Sequence, residues 1–127
     1  MTWEDFTDQY SGDGHIRLAA YSTKPADRDM IDCQATLAVA DDLFSLRATA
    51  TGPVGAMTSI LHDIGAPVAI IELRQRKTDD AFATYLLCEH NGTRRWAYGT
   101  GTTGDDANVN ALVAGANRLH ASTFAVR

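Results

Sequence analysis

Between Phe44 and Ile64 the spacing of apolar side chains changes from every second residue to every third or fourth, and the change falls on Gly52-Pro53. Phe44, Leu46 and Ala48 alternate with Ser45, Arg47 and Thr49, the pattern of a strand with one buried face. Val54, Met57, Leu61 and Ile64 then fall on one side of a helix. Gly52 can take backbone angles closed to other residues, and Pro53 has its φ preset for a first helical position, where its missing N–H costs nothing. A strand therefore feeds a helix through a tight turn, and the remaining chain reads as two copies of this event.

Upstream, Ile16 to Tyr21 has the composition of a strand, and residues 22 to 29, with Pro25 and four charges, read as an exposed loop. Ile31, Cys33, Ala35, Leu37 and Val39 alternate with Asp32, Gln34 and Thr36, and Ala40-Asp41-Asp42 turns the chain back antiparallel. Gly65 caps the helix in a left-handed conformation, with Pro67 just beyond. The second half repeats the order. Val68 to Leu73 is a strand apolar on both faces, which calls for cover on both sides, and Phe82 to Glu89 is the next. Asn91-Gly92 is a hairpin signal because both residues tolerate positive φ, so Arg94 to Tyr98 runs back as a third strand. Gly99, Gly101 and Gly104 lead into a helix capped by Thr103 with Asp106, whose inward face is Val109, Leu112, Val113 and Ala116. The two turns match as Ala50-Thr51-Gly52 against Ala97-Tyr98-Gly99.

The reading is an α+β fold of two βββα units in pseudo-repeat, about 15–66 and 67–127, with antiparallel sheets and helices packed on one face. Residues 1–14 form a linker-like segment in which Trp3, Phe6 and Tyr10 give residues 3 to 10 the aromatic stripe of a short amphipathic helix.

Composition narrows the function classes. With 11 Lys and Arg against 16 Asp and Glu, the net charge of −5 repels phosphate backbones and anionic lipid, so neither nucleic acid nor membrane is an expected partner. The start, Met1 to Phe6, lacks the basic and apolar regions of a signal peptide, which places the chain in the cytoplasm. Cys33 and Cys88 sit in strands, where reduced thiols serve as small apolar groups.

His15, His62, His90 and His120 show no metal-pairing spacing, and no nucleophile lies beside a base, so neither a metal or cofactor site nor a catalytic set is expected. Arg74, Arg76 and Lys77 with Arg94 and Arg95 read either as a small anion site or as solvated strand ends. The helix starts after Gly52 and Gly99 read either as carboxylate-binding N–H groups or as plain connections.

The letters Ala50-Thr51-Gly52-Pro53-Val54-Gly55-Ala56, then Gly65 and Val68-Ala69-Ile70-Ile71-Glu72, resemble the C-terminal regulatory domain of α-isopropylmalate synthases, which typically shows GxGPxxA there. Asp79-Asp80-Ala81, Trp96-Ala97-Tyr98-Gly99 at a second GxG, and Ala107, Ala111 and Asn117-Arg118 extend the resemblance over nearly the whole chain. Trp3, Phe6 and Tyr10 look like the segment that joins the family's catalytic barrel to this domain. The resemblance implies a noncatalytic homodimer that binds feedback leucine near its interface, without the barrel, acting alone or on a synthase partner.

An effector held at the two helix starts would lie against Ala50, Thr51, Gly52, Val54, Gly55, Ile71, Leu73, Ala97 and Gly99, with Leu73 and Lys77 placed there by the resemblance, and Thr51, Asn108 and Asn117 read either as orienting it or as caps. Alanine at 50 and 97 replaces the first glycine of each GxG, so the expected ligand is a branched-chain amino acid or 2-oxo acid other than, or smaller than, leucine. A structural dimerisation module with a closed site, a fragment of a full-length synthase, and a small enzyme on the same scaffold are the alternatives.

Overall fold

The computed structural model describes residues 15–120. Strands β1 (Ile16–Pro25), β2 (Ile31–Val39) and β3 (Asp42–Ala50) form one antiparallel sheet in the order β1-β2-β3, followed by helix α1 (Pro53–Asp63). Strands β4 (Ala69–Lys77), β5 (Phe82–His90) and β6 (Thr93–Gly101) form a second sheet in the order β4-β5-β6, followed by helix α2 (Gly104–Leu119). The two βββα units are as read from the sequence. The aromatic stripe of Trp3, Phe6 and Tyr10 lies outside the described residues, as does the end of the second unit beyond residue 120.

Residues 22 to 25 are strand and not loop. They extend β1 by pairing Ser22 with Gln34, Lys24 with Asp32 and Pro25 with Ile31. The strand is at the sheet edge, where a proline removes no ladder bond. Its period is hidden by a register shift between Leu18 and Ala20, which leaves Ala19 over and puts Tyr21 in phase with Leu18. β4 carries the same device between Ile70 and Glu72. That shift makes Ile70 and Ile71 adjacent apolar residues, and it is why this edge strand looks apolar on both faces. Among the described residues this strand is not fully covered: Ile70, Ile71 and Leu73 are 37%, 42% and 38% exposed.

From β2 to the second helix the halves match at one constant offset. Ile31 corresponds to Phe82, Val39 to His90, Asp42 to Thr93, Ala50 to Gly101 and Pro53 to Gly104. Both hairpins turn on two residues, Ala40-Asp41 and Asn91-Gly92, with Ala40 at φ 55°, Asn91 at 50° and Gly92 at 81°. The match of Ala50-Thr51-Gly52 to Ala97-Tyr98-Gly99 is therefore corrected: Ala50 is the counterpart of Gly101, and Gly52 of Thr103. Gly65 caps α1 as expected, at φ 85°, with its N–H donating to His62 O at 3.0 Å and that of Ala66 to Leu61 O at 2.9 Å.

Helix α1 packs on β2, β3 and α2, while α2 lies on β5 and β6 and reaches β1. Val109, Leu112, Val113 and Ala116 join Met57, Ile60 and Leu61 of α1 and Leu37 of β2 in one buried apolar cluster. Each fully buried side chain of that size is worth about 1.5–3 kcal/mol. The sheet side of α2 is a second row that the sequence reading missed. A Cβ on Gly101 would stand 2.7 Å from Ala107 N, one on Gly99 2.2 Å from Ala111 N, and one on Gly115 2.4 Å from Cys88 Sγ. These glycines let helix and sheet backbones approach to near contact.

Gly99→Ala must push α2 off the sheet and is expected to cost more than about 3 kcal/mol in urea unfolding. Gly52→Ala, with nothing within 4 Å of the added carbon, is expected to cost about 1 kcal/mol at most. Equal losses for the two would show that the approach of α2 to β6 is not limiting.

Candidate functional site

The start of α1 holds Ala50, Thr51, Gly52, Val54 and Gly55 together. Thr51 and Gly55 are exposed, and Ala50, Gly52 and Val54 are half-buried. Gly52 is the N-cap at φ −164° and ψ 170°, extended backbone open to any residue, so its place here owes nothing to glycine's special angles. It supplies no side-chain cap, and Pro53 has no N–H. The first helical bond runs from Ala56 N to Gly52 O at 3.1 Å, which leaves the N–H groups of Val54 and Gly55 without a helical partner. The Ala50 methyl stands 3.5 Å from where a Gly55 Cβ would be, so it borders this opening.

The counterpart at α2 is closed. Asp106 N donates to Thr103 Oγ1 at 3.1 Å, Thr102 Oγ1 to Asp106 Oδ2 at 3.4 Å, and the Tyr21 hydroxyl, coming from the other unit, to Asp106 Oδ1. The expected capping pair is present. It uses the backbone donor that an effector carboxylate would need.

Ala97 and Gly99 do not form a strand-to-helix turn. Both lie within β6 beneath α2, Ala97 fully buried 3.6 Å from the place a Gly115 Cβ would take, and Gly99 against Ala111. The second expected turn is thus a packing contact. Gly99 marks a close approach of backbones and not a turn. Ile71 and Leu73 sit on the exposed edge strand β4, in the other unit from α1, whose main packing partners are β2, β3 and α2. The nine residues therefore fall in three separate places, and one of them is an opening at a helix start.

Two polar residues expected to orient a ligand are committed internally. Asn117 Oδ1 accepts from Ile16 N and its Nδ2 donates to Ile16 O, both at 2.8 Å, so the amide pairs with β1 as a neighbouring strand would. Asn108 Oδ1 accepts from Thr84 Oγ1 at 2.6 Å and from Gln75 Nε2 at 2.9 Å, and Gln75 Nε2 also reaches Gly104 O at 2.8 Å. Thr84 is fully buried, so this network satisfies a hydroxyl that would otherwise be costly. The cations do not converge on an anion site: Arg74 pairs with Glu72 at 3.0 Å, Arg94 with Glu89 at 2.7 Å, Arg95 Nη1 donates to Arg94 O, and Lys77 lies over the Phe82 ring. Neither network is signalled by spacing, because the partners are distant in sequence.

Among the described residues no group of three or more His, Cys, Asp and Glu side chains is placed to hold a metal ion. No described helix is long and apolar enough to cross a membrane. Cys33 and Cys88 are free, buried thiols in different sheets. Burial raises the Cys33 pKa and pushes that of Cys88 up to about 12. Burial, and next the bond to Asp106, hold the Tyr21 hydroxyl well above the usual phenol range.

No protein-family model matches the chain. It is 23% identical over 124 residues to a 2-isopropylmalate synthase of Thermobifida fusca, covering 94% of this chain and 22% of that protein. To a 2-isopropylmalate synthase of Clavibacter sepedonicus it is 25% identical over 109 residues, covering 83% of this chain and 18% of that one. The chain thus spans about a fifth of the length of the curated relatives it matches. The resemblance read from the sequence is borne out as similarity to a part of these synthases.

The raised Tyr21 and Cys88 values set a pH dependence. The folded chain keeps protons that the unfolded chain has already lost, so this stabilisation is full below pH 9 and falls as pH rises from 9 toward 12, the ordinary and folded values of Cys88. The urea midpoint is expected to drop across that window, and Cys88→Ala is expected to flatten the slope. A midpoint independent of pH there would contradict the burial of both groups.

Proposed function

We propose that this chain is a noncatalytic domain of the isopropylmalate synthase regulatory type, which pairs with a second copy and binds a branched-chain amino acid or 2-oxo acid in leucine biosynthesis. The observation that carries the reading is the similarity of nearly the whole chain to about a fifth of two 2-isopropylmalate synthases. On this reading the domain acts on a synthase, as part of the same polypeptide or in trans, and does not itself run the reaction.

Pairing is supported by the edge strand β4, whose Ile70, Ile71 and Leu73 offer apolar surface beside unpaired ladder groups. Leu43 and Phe44 at the start of β3, 72% and 43% exposed, add a second patch. Sedimentation is expected to show a dimer at micromolar concentration, which Ile71→Glu converts to monomer while melting stays cooperative. A monomeric wild type would refute the pairing.

Ligand binding is supported by the uncapped start of α1, where Val54 and Gly55 offer N–H groups to a carboxylate and Ala50 limits the space. A purely structural dimer with no ligand is the second reading. The packing of α2 over Gly99 and the internal bonding of Asn108 and Asn117 favour it. A thermal-shift panel of branched-chain amino acids and 2-oxo acids separates the two. A ligand held at 100 times its Kd adds about 2.7 kcal/mol to stability. Ala50→Gly is expected to enlarge the response to leucine, whereas Ala97→Gly, under α2, only opens a cavity. Flat melting across the panel for the wild type and Ala50→Gly would leave the structural dimer.

A further inference from the structure

Two imidazoles that are distant in sequence meet at the joint between the units. His90 ends β5 on the face it shares with Cys88, and His120 is the C-cap of α2, which packs on that face. Their ring centroids are 4.6 Å apart, with the planes tilted by 50°. His120 is buried and His90 half-buried. The Nε2 of His120 lies 2.7 Å from Pro67 O, and because a carbonyl only accepts, Nε2 carries the hydrogen. In the neutral ring the lone pair is then on Nδ1. Among the described residues no hydrogen bond reaches that atom or either nitrogen of His90.

We propose that His120 Nδ1 and a ring nitrogen of His90 bind one divalent ion of the nickel, copper and zinc group, with water completing its coordination. The separation of the rings fits a shared ion. With metal–nitrogen bonds of about 2.0–2.1 Å, two imidazoles on one metal have centroids roughly 4.5–5 Å apart, and 4.6 Å lies in that range. The bond to Pro67 fits as well, because a metal-bound His ordinarily donates its other N–H to a carbonyl or carboxylate, which fixes the ring and leaves the free nitrogen for the metal. The ion would also lie at the C-terminal end of α2, where the helix dipole favours positive charge. Imidazole donors select this group of metals, whereas magnesium and calcium take oxygen. Among the described residues no third His, Cys, Asp or Glu stands with the pair, so the ion keeps open positions and exchanges, unlike a closed structural zinc. Sequence spacing gave no sign of the pair, since only the packing of α2 on β5 brings the two rings together. A bound ion ties the end of β5 to the end of α2 and, through His120, to the connection between the units. It is separate from any effector at the start of α1.

The test titrates the full, untagged, metal-free chain with nickel or zinc chloride, read by calorimetry and by thermal melting. One ion per chain and a rise in melting temperature that grows with metal concentration are expected. His90→Gln, at the half-buried position, is expected to keep cooperative melting while weakening binding at least about tenfold. His15→Gln and His62→Gln are expected to bind as the wild type does. A second reading needs no substitution: in nuclear magnetic resonance of isotope-labelled imidazoles, zinc is expected to shift the ring nitrogens of His90 and His120 and leave those of His15 and His62 in place. No binding at all, or binding that His90→Gln leaves unchanged, would overturn the proposal. So would shifts confined to His15 or His62, or one ion per two chains, since the ligands would then lie elsewhere or be shared between copies.

Discussion

The approach of α2 to the second sheet is the contact on which the rest of the molecule depends. Ala107, Ala111 and Gly115 recur every fourth residue on the helix and meet Gly101, Gly99 and Cys88 on the sheet, so backbones come together where side chains would usually intervene. Dispersion between such closely packed surfaces is individually weak and collectively large, and it falls off within an ångström of separation. This fixes the helix in translation as well as in angle. It also leaves the other side of α2 at the right depth for Val109, Leu112 and Val113 to meet α1 in the common core.

The first unit lacks this contact. Ala48 and Ala50 stand where the second unit has Gly99 and Gly101, so β3 presents methyl groups to α1. Gly52, where the second unit has Thr103, leaves the start of α1 without a side-chain cap, and the N–H groups of Val54 and Gly55 without a helical partner. In the second unit the space is filled, and Thr103, Asp106 and Tyr21 use the polar groups at the helix start. One repeat has thus specialised for packing and the other retains an opening. Any ligand bound at this opening would meet one helix start per chain.

The elements were legible because local chemistry sets them. The change of period at Gly52-Pro53, the Asn91-Gly92 turn, the Gly65 cap and the Thr103–Asp106 pair each act within a few residues. What failed was non-local or shifted the period. The extra residues Ala19 and Ile71 each change which side chains share a face, so the reach of β1 and the one-sided exposure of β4 were hidden. Gly99 was read as a turn glycine because a sequence does not tell backbone freedom from backbone proximity. The aligned repeat could have told them apart, since Gly101 and not Ala97 stands at the constant offset from Ala50. Of the expected site, the start of α1 was legible for the same local reason, and the placing of Ile71 and Leu73 against it was not.

The two repeats are nevertheless one body, because α2 is shared between them. Asn117 holds both backbone groups of Ile16, Tyr21 reaches Asp106, and the buried His120 Nε2 donates at 2.7 Å to Pro67 O in the segment joining the units, with its ring 4.6 Å from that of His90. These ties lie at both ends of the helix and connect it to the strand that opens the first unit and to the connection that opens the second. Each buried bond contributes only about 1 kcal/mol when made, but leaving either partner unsatisfied costs the full desolvation of that group. Sliding α2 along its axis would break all of them and drive Gly99 and Gly101 into helix backbone at once. The helix therefore has one position, and a force applied to either sheet is carried to the other through it, not through the short connection between Asp63 and Ala69 that joins the units in sequence.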